Sequence, residues 1–179
     1  ARKHDDEELG KLAAKMHRIV ASHEVEIAKH DAIARAAQYL GGLPFTDSNE
    51  LTLLIDGEET FDAIFREIEN ARNYICINFF IVKNDRIGMR LQQLLIKKSR
   101  EGVRIWFLFD EIGSHKLSRK YLRELREAGV QCRSFGANRT WVSRLQYNFR
   151  NHRKIVVTDG IVGFIGGINV GDEYLGRDL

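Results

Sequence analysis

His152, Lys154 and Asp159 stand in the spacing H-x-K-x-x-x-x-D, and Gly166, Gly167 and Asn169 follow within one more strand and turn. These residue types suit phosphodiester chemistry. A neutral imidazole, abundant near pH 7, can attack phosphorus and leave a labile phosphoramidate. A lysine ammonium neutralises a non-bridging phosphate oxygen as a compact cation. The segment Asn151 to Asp159 reads as a strand. In an extended strand, side chains two apart share a face, so His152 and Lys154 are expected to meet one phosphate. Asn169 supplies either an amide donor to the same oxygens or the N-cap of a helix with Asp172 at its third position. Gly166 and Gly167 permit close backbone approach to a phosphate. Asp159 completes the catalytic set in a supporting role, because strand parity puts it on the other face and Asp before Gly is ordinary turn chemistry. Alone, an H-x-K pair fits an exposed strand with incidental polar residues; the ensemble points instead to half of a phosphodiester-cleaving site. Such a site also needs an acid for the leaving oxygen.

The elements that must position these groups follow from the hydrophobic pattern. From about Asp5 to Leu40 the apolar positions Leu9, Leu12, Met16, Ile19, Val20 and Ile27 keep a helical spacing, and Gly41-Gly42-Leu43-Pro44 ends it. This predicts an N-terminal helical arm and linker over residues 1–44 and a catalytic α/β domain over 45–179. His17, His23 and His30 on the arm lack a further ligand at a metal-binding spacing, so helix surface is expected of them and no metal site is assigned. After Pro44, strands are expected near Leu51 to Ile55, Tyr74 to Val82, Val103 to Asp110 and Val130 to Phe135. Helices are expected near Glu59 to Asn70, Arg86 to Arg100 and Lys116 to Ala128, with Gly102 and Gly129 at the left-handed positions that stop the last two. The fold class is therefore α/β: a mixed, mostly parallel sheet sandwiched between helices and preceded by the arm. Asn138 to Phe149 reads as a polar loop, and Lys154 to Thr158 with Ile161 to Ile165 as a hairpin turning at Asp159-Gly160.

Composition excludes several classes. With 179 residues, 44% hydrophobic and 30% charged, the chain can bury a core and is not disordered. Its longest apolar run, Tyr74 to Val82, is about half of the ~20 residues that a membrane span needs. Cys76 and Cys132 show no C-x-x-C spacing and are expected as buried free thiols in a reducing compartment. The start at Ala1, with no signal-peptide pattern, fits a processed protein or an excised piece. The net charge of +3 conceals an asymmetry: residues 1–70 hold 15 acids against 8 Lys/Arg, whereas 115–154 hold 11 Lys/Arg against Glu124 and Glu127. This basic block, running through Arg139, Arg144 and Arg150 into the motif, would draw in a phosphate polymer or an anionic lipid surface. The alternative for Arg119, Lys120, Arg123 and Arg126 is a solvated helix face.

The stretch from Asn148-Phe149-Arg150-Asn151-His152 to Gly171-Asp172-Glu173-Tyr174-Leu175-Gly176 resembles the first catalytic motif of the bacterial cardiolipin synthase branch of the phospholipase D superfamily. Upstream, Leu54-Ile55-Asp56-Gly57 before a helix with Phe61, then Ile77-Asn78-Phe79-Phe80-Ile81 and Asp110-Glu111-Ile112-Gly113-Ser114, resemble the same branch, so similarity covers about residues 48–179. The resemblance implies a phospholipase D-like half-domain. His152 would take the phosphatidyl group from one phosphatidylglycerol, releasing glycerol, and pass it to a second to make cardiolipin. It assigns Lys154 and Asn169 to the phosphate, calls for no metal or organic cofactor, and implies a second motif from the same longer chain or from a homodimer. The full-length enzyme would work at the bacterial cytoplasmic membrane on anionic phospholipid, while this piece is expected to be soluble and inactive alone. Two other readings stand beside it: a single-motif endonuclease acting on nucleic acid as a homodimer, and a non-catalytic anionic-lipid-binding module.

Overall fold

The computed structural model describes residues 14, 17–136 and 151–176, which form two compact units, 1–53 and 54–179. The expected loop over Asn138 to Phe149, with Arg139, Arg144 and Arg150, lies outside the described residues, as do Leu9, Leu12 and Met16 of the arm.

The first unit is not one continuous helix. Residues 17–22 are helical, residues 25–28 are not, and helix α1 occupies Ala32–Gly41. The break has a local cause. The Val25 N–H donates to the Phe45 carbonyl at 2.8 Å and the Asp47 N–H to the His23 carbonyl at 2.9 Å, which draws this stretch into a bridge with residues 45–47. Asp31 then restarts the helix by accepting the Ala34 N–H at 2.8 Å. Gly42 ends it as expected, in the left-handed region.

In the second unit the elements are α2 (Gly57–Asn70), β1 (Tyr74–Phe79), α3 (Arg86–Arg100), β2 (Arg104–Asp110), α4 (Arg119–Glu127), β3 (Gln131–Phe135), β4 (Ile155–Thr158), β5 (Val162–Ile165) and a closing 3₁₀ turn (Asp172–Leu175). Each helix starts at a side-chain cap: Asp56 accepts from Glu59 N, Asp85 from Gly88 N and Ser118 from Tyr121 N. Gly102 and Gly129 take positive φ just past α3 and α4, as the sequence predicts. The expected strand over Leu51 to Ile55 does not form. Leu51 is 98% exposed, and the Ile55 N–H is instead taken by the Glu59 carboxylate at 3.1 Å as part of the α2 cap.

The five strands run in the order β3-β2-β1-β4-β5. The class is mixed α/β as expected, but two details differ. Pairings β1–β2 and β2–β3 are parallel, while β1–β4 and β4–β5 are antiparallel, so the parallel part is half of the sheet. The helices, expected on both faces, cover one face among the described residues. Strands β1, β2 and β3 step in one direction across the sheet, and successive right-handed crossovers in one direction put their helices on one side. Ile75, Ile77, Phe79, Ile105, Phe107, Phe109, Cys132 and Val156 are buried beneath those helices with Phe61, Phe65, Leu91, Leu95, Tyr121 and Leu125. On the other face Trp106 is 37% exposed and Ile165 87% exposed.

Strand β1 stops at Phe79 rather than continuing to Val82, because its next N–H groups turn to side chains. Ile81 N donates to Asn169 Oδ1 at 3.1 Å and Val82 N to Ser114 Oγ at 3.0 Å. The chain thus leaves the sheet at Phe80. Cys76 and Cys132 are free thiols, half-buried and buried, and burial raises both pKa values, that of Cys132 to about 11.

Candidate active site

Strand β4 runs antiparallel to β1, so its leading residues lie at the carboxyl end of the parallel strands. Ligands of α/β sheets characteristically sit beyond that edge. Regular strand structure begins at Ile155, and His152 to Lys154 form its extended lead-in, with Gly166 N donating to Lys154 O at 3.3 Å.

The residue before the histidine is anchored twice. Asn151 is buried; its N–H donates to Asp110 Oδ2 at 3.4 Å and its Nδ2 to Asn78 Oδ1 at 3.0 Å. These bonds tie the lead-in to β1 and β2. His152 itself is exposed, and its ring stacks on Phe80 with centroids 4.0 Å apart and planes 19° apart. Lys154 Nζ lies 5.4 Å from the centre of the same Phe80 ring and donates to the His152 carbonyl at 2.7 Å. Imidazole and ammonium therefore converge on one aromatic platform. An ammonium has three N–H donors, and this bond takes one.

Gly166 and Gly167 are exposed, and a Cβ added at either would meet nothing within 4 Å. The backbone there is open to an approaching ligand. Asn169 is buried, and its amide is engaged: Oδ1 accepts from Ile81 N at 3.1 Å and Nδ2 donates to Tyr174 OH at 3.0 Å. It is not a helix cap, since Gly171 holds that position before the 3₁₀ turn. Asp172, expected at the third position of that helix, instead receives Ile87 N at 3.0 Å and Arg86 N at 3.3 Å at the start of α3.

Asp159 belongs to the other end of β4. Its carboxylate accepts the N–H groups of Arg72, Asn73 and Tyr74 at 2.8, 2.7 and 2.8 Å. Burial alone would raise its pKa, but those backbone donors outweigh it and the pKa is lowered. Placing Asp159 in the catalytic set is corrected accordingly: it anchors the β4–β5 hairpin to the α2–β1 connection, a full strand from His152. It adopts φ 55° and Gly160 φ 70°, as the tight hairpin turn expected from the sequence requires.

Asn78, Phe80, Asp110, Gly113 and Ser114 were legible only as parts of a resemblance, with no role attached. Gly113 packs against residue 80 so closely that a Cβ there would sit 2.2 Å from the Phe80 carbonyl oxygen. The available signal was Phe79-Phe80 at the end of a buried strand, where alternation puts one ring in the core and turns the other out. Among the described residues no three His, Cys, Asp or Glu side chains are grouped to hold a metal ion, and His23 contacts Asp47 at 3.1 Å.

The domain thus combines a three-stranded parallel half, an antiparallel hairpin and a histidine–lysine pair at their shared edge. Residues 64–179 match the family described as cardiolipin synthase, PLD-like domain, and the chain belongs to that family. It is 55% identical over 145 residues to cardiolipin synthase A of Pseudomonas putida strain W619, covering 81% of this chain and 30% of that protein. Against cardiolipin synthase A of Pseudomonas entomophila strain L48 it is 54% identical over 147 residues, covering 82% of this chain and 31% of the relative. The chain thus spans about 30% of the length of these relatives. In fold it is similar to NucT from Helicobacter pylori, with a TM-score of 0.52, 12% identity, and coverage of 68% of this chain and 73% of that one.

Proposed function

We propose that this chain is one half of the active site of a phosphatidyltransferase that makes cardiolipin from two molecules of phosphatidylglycerol. The observation that carries this reading is the convergence of the His152 ring and the Lys154 ammonium on Phe80 at the open carboxyl edge of the sheet. A ring nitrogen of His152 attacks phosphorus of the first lipid; the N–P bond forms as the P–O bond to glycerol breaks, and glycerol leaves with a proton from an acid in the partner half. A glycerol hydroxyl of a second phosphatidylglycerol then loses its proton to the same group and attacks phosphorus. The N–P bond breaks, and neutral His152 and cardiolipin result. Lys154 holds the non-bridging oxygens throughout, and the open backbone at Gly166 and Gly167 lets the phosphate come close. The Asn169 amide supports the Phe80–Ile81 segment through Oδ1 and bonds Tyr174 through one N–H, so its phosphate role falls to its second N–H.

The partner half is a second motif of the same longer protein or a second copy of this chain, and the working location is the surface of a membrane containing anionic phospholipid. Among the described residues no helix is long and apolar enough to cross a membrane. The test is conversion of phosphatidylglycerol to cardiolipin and glycerol by the full-length protein, abolished by His152→Ala. Salt-sensitive cleavage of plasmid DNA without lipid turnover would replace this reading with a nuclease, and lipid binding without any turnover with a binding module.

A further inference from the structure

We propose that Phe80 is a positioning residue for His152, a fixed aromatic platform that sets the plane of the imidazole and keeps the Lys154 ammonium beside it; this rests on the reading of His152 as the nucleophile. Phe80 is half-buried and stands outside the apolar core that Phe79 joins. Its ring covers one face of the His152 imidazole at a centroid distance of 4.0 Å and also lies within cation–π range of Lys154 Nζ at 5.4 Å. A histidine on an exposed strand lead-in would otherwise sample several χ1 and χ2 rotamers, and a nucleophile must be held in line with the phosphorus it attacks.

The platform is itself held from below and from both sides. Ser114 Oγ donates to the Phe80 carbonyl at 3.2 Å and accepts the Val82 N–H at 3.0 Å, so one hydroxyl spans the residue between them. That residue, Ile81, is fixed by the Asn169 amide. Gly113 lets the turn after β2 pack against residue 80, where a Cβ would lie 2.2 Å from the carbonyl oxygen and 3.1 Å from ring Cδ2. Asp110 braces this turn through the N–H groups of Ile112 and Gly113 and receives the N–H of Asn151 with its other oxygen. One carboxylate therefore ties the platform's support to the backbone that carries His152. The arrangement also has an electrostatic consequence: attack by neutral imidazole places positive charge on the ring, and the negative face of Phe80 favours that charge as it develops.

The experiment uses the full-length protein with phosphatidylglycerol vesicles, and ¹³C-histidine NMR in which the His152 signals are identified by their loss in His152→Ala. Stacking predicts upfield ring-current shifts of the His152 carbon-bound protons. Phe80→Leu is expected to remove those shifts and lower kcat about 10- to 100-fold with KM little changed, whereas Phe80→Tyr keeps both near wild type. Gly113→Ala, which moves the ring without altering it, is expected to weaken the shifts and lower kcat in the same direction. Unchanged shifts and kcat within twofold in Phe80→Leu, or loss in Phe80→Tyr equal to that in Phe80→Leu, overturn the inference. Substantial turnover in His152→Ala overturns the underlying reading instead, so the two failures are distinct.

Discussion

The ammonium of Lys154 already rests 2.7 Å from the carbonyl of the residue whose ring is the proposed nucleophile, so a phosphate bound there meets both groups with little rearrangement. Lys154→Ala is expected to lower kcat about 10²- to 10³-fold, roughly 3–4 kcal/mol of transition-state stabilisation, as when one oxyanion donor is removed. A steady-state assay reads this directly, and a change near zero would mean that Lys154 does not touch the phosphate. Asp159 predicts the opposite kind of effect. Three backbone N–H groups converge on its carboxylate, and Asp159→Ala leaves them without that acceptor, so a loss of about 1–3 kcal/mol is expected in urea unfolding. Its folded pKa is lowered, so the unfolded chain takes up the proton first as pH falls. The stability it contributes is complete above the unfolded value of about 3.9 and is lost as pH drops through the depressed folded value. The difference between wild type and Asp159→Ala should accordingly shrink on acidification below that value. Spacing alone brings His152 and Lys154 together, because a two-residue period needs only an extended backbone. It does not disclose Phe80 or Asn151, whose partners lie 73 residues apart in sequence or on another strand.

Each upstream motif supplies an element end that touches the site segment. The α2 start does so at Gly57, where a Cβ would lie 1.8 Å from the Tyr174 carbonyl oxygen, and the end of β2 does so at Asp110, which accepts the Asn151 N–H. Because the obstructing atoms are backbone, the neighbours cannot turn aside as a flexible side chain does. Gly57→Ala is therefore expected to destabilise the fold by about 1–3 kcal/mol, the usual cost of overpacking, and to displace the turn carrying Tyr174. Thermal unfolding checks the first effect; wild-type stability would show that α2 and the 3₁₀ turn do not pack this closely. Helices α2, α3 and α4 were legible from their apolar pattern, with Gly102 and Gly129 stopping the last two. The residues 51–55 were not: their mostly apolar run is that of a buried strand, but a strand needs a partner, and none is present among the described residues. The arm misled for a related reason, since helical spacing does not register a backbone bridge such as that between Glu24 and Thr46.

At the scale of the molecule, the described residues bring one histidine and one lysine to the candidate site, while the proposed double displacement also requires a proton donor and acceptor for two alkoxides. Members of its family that it matches are about three times as long, since it spans about 30% of them. A single, unpaired 179-residue chain is expected to form no cardiolipin from phosphatidylglycerol vesicles, with activity appearing only where a second half, from a longer protein or a second copy, completes the site; thin-layer chromatography of the lipids distinguishes the two. Mixed sheet and helix order were legible because each strand carries its own apolar run. That the helices cover one face among the described residues was not, since it depends on the direction in which the crossovers step. The most direct test of the central claim is to quench the full-length protein in alkali during turnover of phosphatidylglycerol and map the phosphatidyl adduct by mass spectrometry. The adduct is expected on the peptide containing His152 and absent from His152→Ala; turnover with the adduct elsewhere, or undiminished turnover in His152→Ala, would contradict the account.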